Sequence, residues 1–282
     1  KKEKLKNLLI YDAINKILIK NKILAPNLIS ENYINNYVEI NDFGDQTLFQ
    51  ILKNKKNNKY VIFKKIIKIL NKIQLIKDKK VKNFKNKLYK VQEYKNNILF
   101  DETKLFCDWY APKILSKSKS IQFRKKFRLE IKKLLSKLNY KNVTFVHRDF
   151  HVSNLMYHNK KIAVIDSQDA LIGNRAYDLA SLIDDVRLKT PNELKEKVFK
   201  FYVKTNKKID LEKFKKDFEI LSVLRNLKII GIFMRLAVRD NKKKYLKLIP
   251  YTWSLINLRI NKNQLFKELK DLLKENFKTQ IK

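Results

Sequence analysis

The chain has little that bends a backbone: three Gly and four Pro in 282 residues. So few breakers argue against a turn-rich all-β fold and predict long helices. A single cysteine, Cys107, excludes an internal disulfide and any cysteine-rich metal site, and suits a reducing compartment. No stretch approaches the roughly 18 uninterrupted apolar residues that span a bilayer. No membrane partner is therefore expected, and a cytoplasmic location is. Arginine is scarce as well: nine of the 65 basic residues, the first of them Arg124. Lysine supplies the rest, mixed with Asn and Ile in every segment as an AT-rich coding sequence produces. The formal charge of +37 is thus spread rather than gathered into a stripe. Arg is the residue that reads phosphates and bases bidentately, so this composition argues against specific nucleic-acid binding. The charge still favours anionic ligands.

What the chain does have is a core. An apolar share of 44% is enough for one large domain or two modest ones. Helical spacing predicts helices over 3–20, 59–77, 101–115, 120–139, 178–188, 191–205 and 210–239, with two more beyond Pro250. "NYVEINDFGD" predicts a short strand through Tyr37, Val38 and Ile40 that runs into a turn at Gly44, where Asp42 and Asp45 suit local hydrogen bonding. "KNKKNNK" at 53–59 reads as a charged surface loop. Trp109 and Trp253 read as packing residues. Only between 143 and 166 does the period drop to two, through "VTFV", "NLMY" and "IAVID". There the polar residues cluster, with His147, Asp149, His151 and Asn154 in "FVHRDFHVSNLMY".

A hairpin turning at Lys160 places Asn154 opposite Asp166, to within a residue of register. Two hard oxygen ligands converging beside a third carboxylate, Asp149, is how a protein presents Mg2+ to a substrate phosphate. His-Arg-Asp, four residues, Asn, and then Asp at a strand end is the spacing of the protein-kinase site. Asp149 is therefore expected to accept or orient the acceptor's hydroxyl proton, with Asn154 and Asp166 as Mg2+ ligands and ATP as donor. His147 is expected to be structural, its ring bonding nearby backbone. Arg148 is read either as a phosphate or carboxylate partner or as half of an internal ion pair. His151 either approaches phosphate or fills the loop. His158 is expected to be exposed at the turn, and Asp178 to cap the helix that follows it.

"FVHRDFHVSNLM…IAVIDSQDALIGNRAYDLASLIDD" resembles the aminoglycoside-phosphotransferase-like branch of the protein-kinase fold. "EINDFGDQTL", "LFCDWYAPKIL" and "LRNLKIIGIFMRLAVRDNKKKYL" extend the resemblance over nearly the whole chain. They draw it toward the bacterial kinases of N-acetylmuramate and N-acetylglucosamine that serve peptidoglycan recycling. The resemblance implies an α+β, bilobal protein-kinase-like fold. Residues 1–44 would be part of an N-lobe (helix, strand and hinge), and 45–282 a mainly helical C-lobe with the catalytic loop and metal hairpin. It implies transfer of the γ-phosphoryl group of ATP to the anomeric hydroxyl of an amino sugar, and a partner nucleotidyltransferase that consumes the sugar 1-phosphate. The backbone of Ile40, Asn41 and Asp42 would hold adenine. Gln168, Asp169 and Arg175 would line the sugar side, and Asp178 would brace the catalytic loop. Arg225, Asn226, Arg235 and Arg239 are candidates for a sugar carboxylate, with ion pairing in helix packing as the alternative.

Two residues depart from the family pattern: Ser167 stands where Phe is usual and Asn174 where Pro is usual. In the family, strands with a phosphate-covering loop and a Lys precede the first helix seen here. No Gly precedes Gly44, so the chain is expected to be an N-terminally truncated member, and a fused ATPase domain is one possible content of the missing part. Two other readings stand beside the sugar kinase. One is a kinase of an aminoglycoside- or choline-like acceptor; the other is a non-catalytic nucleotide- or nucleic-acid-binding relative.

Overall fold

The computed structural model describes residues 2–54, 57–261 and 263–281, with side chains from Asn7 onward. Lys55 and Lys56 of the expected 53–59 loop lie outside the described residues. By compactness the chain divides into two units: Lys1–Tyr94 with Asn142–Ile209, and Lys95–Lys141 with Asp210–Lys282.

The first unit opens with α1 (Lys2–Lys20), which buries Ala13, Ile14, Ile17 and Leu18 on one face. β1 (Leu28–Asn32) and β2 (Tyr37–Ile40) form an antiparallel ribbon. A short helix that periodicity did not reveal, α2 (Leu48–Lys53), starts at a capping box. In it the Thr47 hydroxyl accepts the Gln50 N–H at 3.3 Å, and the Gln50 side chain accepts the Thr47 N–H at 2.8 Å. α3 (Lys59–Gln74) buries Phe63, Ile66, Ile67, Leu70 and Ile73, the stripe that predicted it. A two-stranded ribbon, β3 (Lys80–Lys82) and β4 (Leu88–Lys90), precedes the segment that rejoins this unit at Asn142.

That segment carries the cluster of polar residues singled out in the sequence. β5 (Thr144–Val146) pairs not with the hairpin that follows but with β8 (Leu171–Gly173), so the hairpin of β6 (Leu155–His158) and β7 (Lys161–Val164) is framed between them in sequence. Leu155 pairs with Val164 and His158 with Lys161, so the turn is two residues, Asn159 and Lys160, with φ of 47° and 61°. Positive φ at both positions is the twist-matched hairpin turn that Asn favours. It corrects the expected register by one residue: Asn154 lies opposite Ile165, whose N–H it accepts at 3.1 Å, rather than opposite Asp166. Both hairpin edges are occupied, by Val164 N–H donating to Leu24 O and Tyr157 N–H to Gln46 O, each at 2.8 Å. His158 is not simply exposed: its ring lies against Phe43, with Nδ1 3.3 Å from the Phe43 carbonyl.

The unit ends with α7 (Ala176–Ile183) and α8 (Asn192–Thr205). Asp178 lies inside α7 and does not cap it. Asn174 serves there instead, its side chain accepting the Ala176 N–H at 3.0 Å. α7 stops at Ile183, short of the expected 188. The buried Lys195 ammonium meets the Ile183 carbonyl at 3.0 Å and the buried Asp184 carboxylate at 2.7 Å, which closes the helix end.

The second unit is helical: α4 (Asn96–Thr103), α5 (Ala111–Ile114), α6 (Lys117–Ser136), α9 (Leu211–Arg239), α10 (Ile249–Ile260) and α11 (Lys267–Asn276). The helix expected over 101–115 begins earlier and is interrupted by a π-helical turn, Phe106–Tyr110. Phe106 there packs against Tyr110, Phe123, Phe127, Trp253 and Phe277 at centroid distances of 5.2–6.0 Å. Gly231 of α9 touches the backbone of Leu105 and Phe106; a side chain would collide with the Leu105 carbonyl group. Among the described residues no helix is long and apolar enough to cross a membrane.

Candidate active site

β5 delivers His147, Arg148 and Asp149 to its C-terminal end. Arg148 has φ of 71°, a conformation that a long side chain keeps only when its neighbours hold it. Asp178, fully buried, does the holding. Its two carboxylate oxygens accept the His147 N–H at 2.7 Å and the Arg148 N–H at 2.9 Å. The Arg148 guanidinium folds back over the Tyr94 ring at 4.9 Å and donates to the Asp169 carbonyl at 3.2 Å, with the Asp169 carboxylate at 3.5 Å. Of the two readings of Arg148, the structure shows the internal pair.

Beyond Asp149 the chain makes a tight turn, with His151 N–H donating to Asp149 O and Asn154 N–H to His151 O, both at 2.9 Å. His151 is buried in this turn. The Asn154 amide group donates to the Asp149 carbonyl at 3.1 Å and toward the Asp166 carboxylate at 3.4 Å. Asp166 itself has φ of 62°, and the Gln168 amide donates to its other oxygen at 2.8 Å. The left-handed residue turns the carboxylate back over the hairpin end, which offsets the one-residue register shift. His147 is fully buried and its Nε2 donates to the Ile165 carbonyl at 3.1 Å. Burial pushes its pKa down, more strongly than the nearby Asp149 and Asp166 charges push it up, so the ring is neutral.

No group of three His, Cys, Asp or Glu able to hold a metal occurs among the described residues. One exposed carboxylate and one amide beside it nonetheless fit Mg2+, which keeps several waters and takes few protein ligands. Asn154 would coordinate through its amide oxygen, turned from its present donor contact.

The residues expected to form the hinge are placed by their own bonds. Asn41 N–H donates to Asn27 O at 3.1 Å, and Asp42 accepts the Gly44 N–H at 2.8 Å where Gly44 takes φ of 75°. Arg175 donates to the Asn206 side chain at 3.0 Å, and its carbonyl accepts the Gln74 amide at 2.8 Å. The remaining candidates lie in the second unit, on α9. Arg225 and Asn226 are buried, and neither polar atom of the Asn226 side chain has a hydrogen-bond partner among the described residues. Arg239 is exposed and grips Asp240 through two bonds of 2.8 and 2.9 Å. One connection had no motif to announce it: Ser167, next to Asp166, donates to Asn15 of α1 at 2.6 Å. The available signal was an amide among the apolar residues of the buried face of α1.

Over most of its length the chain superposes on solved structures of small-molecule phosphotransferases. A choline/ethanolamine kinase family protein from Mesorhizobium loti superposes with a TM-score of 0.63 at 10% identity, over 95% of this chain and 82% of that one. The streptomycin–ATP–APH(2")-IIa ternary complex gives 0.59 at 18% identity, over 88% and 84%. The fold is therefore the protein-kinase-like one, α+β and mostly helical. Residues 45–211 match the phosphotransferase enzyme family, and the chain belongs to that family. Among curated proteins, the N-acetylmuramate/N-acetylglucosamine kinase of Neisseria meningitidis serogroup B is 34% identical over 164 residues, 56% of this chain and 49% of that protein. The matched stretch thus spans about half the length of that relative. The protein of the same name from Pseudomonas putida is 25% identical over 269 residues, 93% of this chain and 76% of its own length.

Proposed function

We propose that the protein is an ATP-dependent kinase that phosphorylates the anomeric hydroxyl of N-acetylmuramate or N-acetylglucosamine. The observation that carries the reading is the linked set Asp149, Asn154 and Asp166 at one hairpin end, in a chain whose curated relatives bear that kinase name. Asp149 accepts or orients the proton of the attacking hydroxyl. Asn154 and Asp166 would hold Mg2+, which when bound neutralises charge on the transferring phosphates. His147 and Asp178 fix the loop's backbone. Adenine meets the backbone of Ile40, Asn41 and Asp42; since the Asn41 N–H is already committed to Asn27, the neighbouring main-chain groups carry that contact.

In this reading residues 1–44 belong to an N-lobe and 45–282 to a C-lobe. Gln168, Asp169 and Arg175 serve the sugar side, and the α9 residues Arg225, Asn226, Arg235 and Arg239 answer a sugar carboxylate. Use of ATP suits a cytoplasmic enzyme, and the sugar 1-phosphate it makes is a substrate for a nucleotidyltransferase. The test is ³¹P NMR of the product formed by the full-length protein with a panel of amino sugars, aminoglycosides and choline. A 1-phosphate of the two amino sugars is expected. A 6-phosphate, or phosphorylation confined to an aminoglycoside or choline, eliminates the anomeric sugar reading.

A further inference from the structure

We propose that Asn15 on α1 is a positioning residue for the metal-facing carboxylate of Asp166, acting through Ser167; this rests on Asp166 as a Mg2+ ligand. Asp166 sits at φ of 62°, a left-handed conformation that Asp tolerates better than most residues and that bonds on either side hold in place. Its preceding peptide is fixed by His147, whose ring donates to the Ile165 carbonyl. The following residue, Ser167, is fully buried, and its hydroxyl donates at 2.6 Å to the side-chain oxygen of Asn15, itself 3% exposed.

A directional bond matters here. Two apolar side chains would fill the same space without desolvating polar groups, but they would not fix the rotation of the chain at Ser167. Gln168 and Asn154 hold the outer end of the Asp166 side chain, and both must yield when an ion arrives. The Ser167–Asn15 bond is buried and involves neither Asp166 carboxylate oxygen, so it has no such obligation. It therefore keeps the Asp166 backbone in place while the carboxylate exchanges amide partners for metal.

The experiment compares Ser167→Ala, Asn15→Ala, the double variant, Ser167→Thr and Asp166→Ala in the full-length protein. Calorimetry reads ADP binding with and without Mn2+, turnover reads the Mg2+ concentration for half-maximal rate, and thermal unfolding reads stability. Each alanine variant is expected to weaken Mn2+-dependent ADP binding roughly tenfold and raise the Mg2+ requirement similarly. ADP binding without metal and the acceptor KM should stay within about twofold, because the bond acts on the metal carboxylate alone. The double variant should be no worse than the worse single one, as for two ends of one bond. Ser167→Thr, which keeps the hydroxyl, should retain the metal response. If the alanine variants lose thermal stability with metal dependence unchanged, or if their effects multiply, the positioning role is overturned. Should Asn15→Ala not fold, Ser167→Ala against Ser167→Thr decides the matter. Asp166→Ala separates the two levels: metal-dependent binding that survives it refutes Asp166 as ligand, whatever Asn15 does.

Discussion

Removing the Asp178 carboxylate should damage both stability and catalysis. The residue is fully buried and accepts two main-chain N–H groups, from His147 at 2.7 Å and Arg148 at 2.9 Å. In Asp178→Ala both donors lose their acceptor, the His147 N–H fully buried and the Arg148 N–H partly so. A buried donor left unsatisfied costs about 1–3 kcal/mol, so the pair amounts to about 2–6 kcal/mol. Set against the roughly 5–15 kcal/mol that holds a typical domain together, that is a large fraction. Asp178→Asn keeps one acceptor oxygen but points an NH2 group at the second N–H, so its loss should fall near the lower end, about 2–3 kcal/mol. Catalysis should suffer too, because Arg148 needs that hold to stay at φ of 71° and Asp149 follows directly. A displacement of about 1 Å at a reacting group lowers the rate on the order of 10²-fold. Urea unfolding followed by circular dichroism gives the stability, and turnover per folded molecule gives the rate. An Asp178→Ala protein within about 1 kcal/mol of wild type, turning over within about threefold of it, would refute the bracing role.

Three further expectations follow from the same geometry. Asp149→Asn should lower kcat by roughly 10²-fold or more with nucleotide affinity nearly unchanged; steady-state kinetics with calorimetry checks it, and near-normal turnover sinks the assignment. Because burial lowers the His147 pKa, the unfolded chain takes up a proton at this residue before the folded one does. Its contribution is therefore intact above the unfolded value of about 6.5 and is lost as pH falls below it toward the folded value, by at most about 1.4 kcal/mol per pH unit. The difference in stability between wild type and His147→Asn, measured from pH 8 downward, should shrink below about pH 6.5; a flat difference contradicts the buried neutral ring. Gly231→Ala would add roughly 1 kcal/mol to an ordinary helix interior. Here the new methyl meets the Leu105 carbonyl, so a net loss of about 1–3 kcal/mol is expected. A raised unfolding temperature would show that α9 and the π-helical turn do not approach so closely.

The long helices were legible because a 3.6-residue stripe survives any tertiary context: α9 runs over 211–239 where 210–239 was expected. The polar loop was legible for a related reason, since clustered His, Asp and Asn fit neither helix nor strand periodicity. Elements decided by distant partners were not. β8 is three residues long and exists because Val146 pairs with Leu171 while Ile172 exchanges bonds with Gln92 and Tyr94 across 78–80 positions of sequence. The hairpin register turned on whether Asn159 accepts positive φ, which an alternating pattern does not report. The interruption of the 101–115 helix reflects aromatic packing around Phe106, again a matter of partners far along the chain. Position alone suggested a helix cap for Asp178; its bracing of the loop was expected only from the family resemblance, and its oxygens accept the His147 and Arg148 N–H groups.

The hydrogen bonds at Asp166 and Ser167 also differ in when they can form. Asn154 and Asp166 are 12 residues apart, whereas Ser167 and Asn15 are 152 apart. The entropy of closing a chain segment grows as (3/2)RT times the logarithm of its length, so the longer closure is dearer by about 2 kcal/mol. A hairpin with a two-residue turn assembles on the order of microseconds, which lets Asn154 and Asp166 meet before α1 has docked. Asp166 then acquires its last restraint only when the far end of the unit arrives. By the same arithmetic, a fluctuation that lifts α1 releases that restraint first and leaves the hairpin standing. The ion site proposed at Asp166 thus becomes sensitive to openings much smaller than global unfolding.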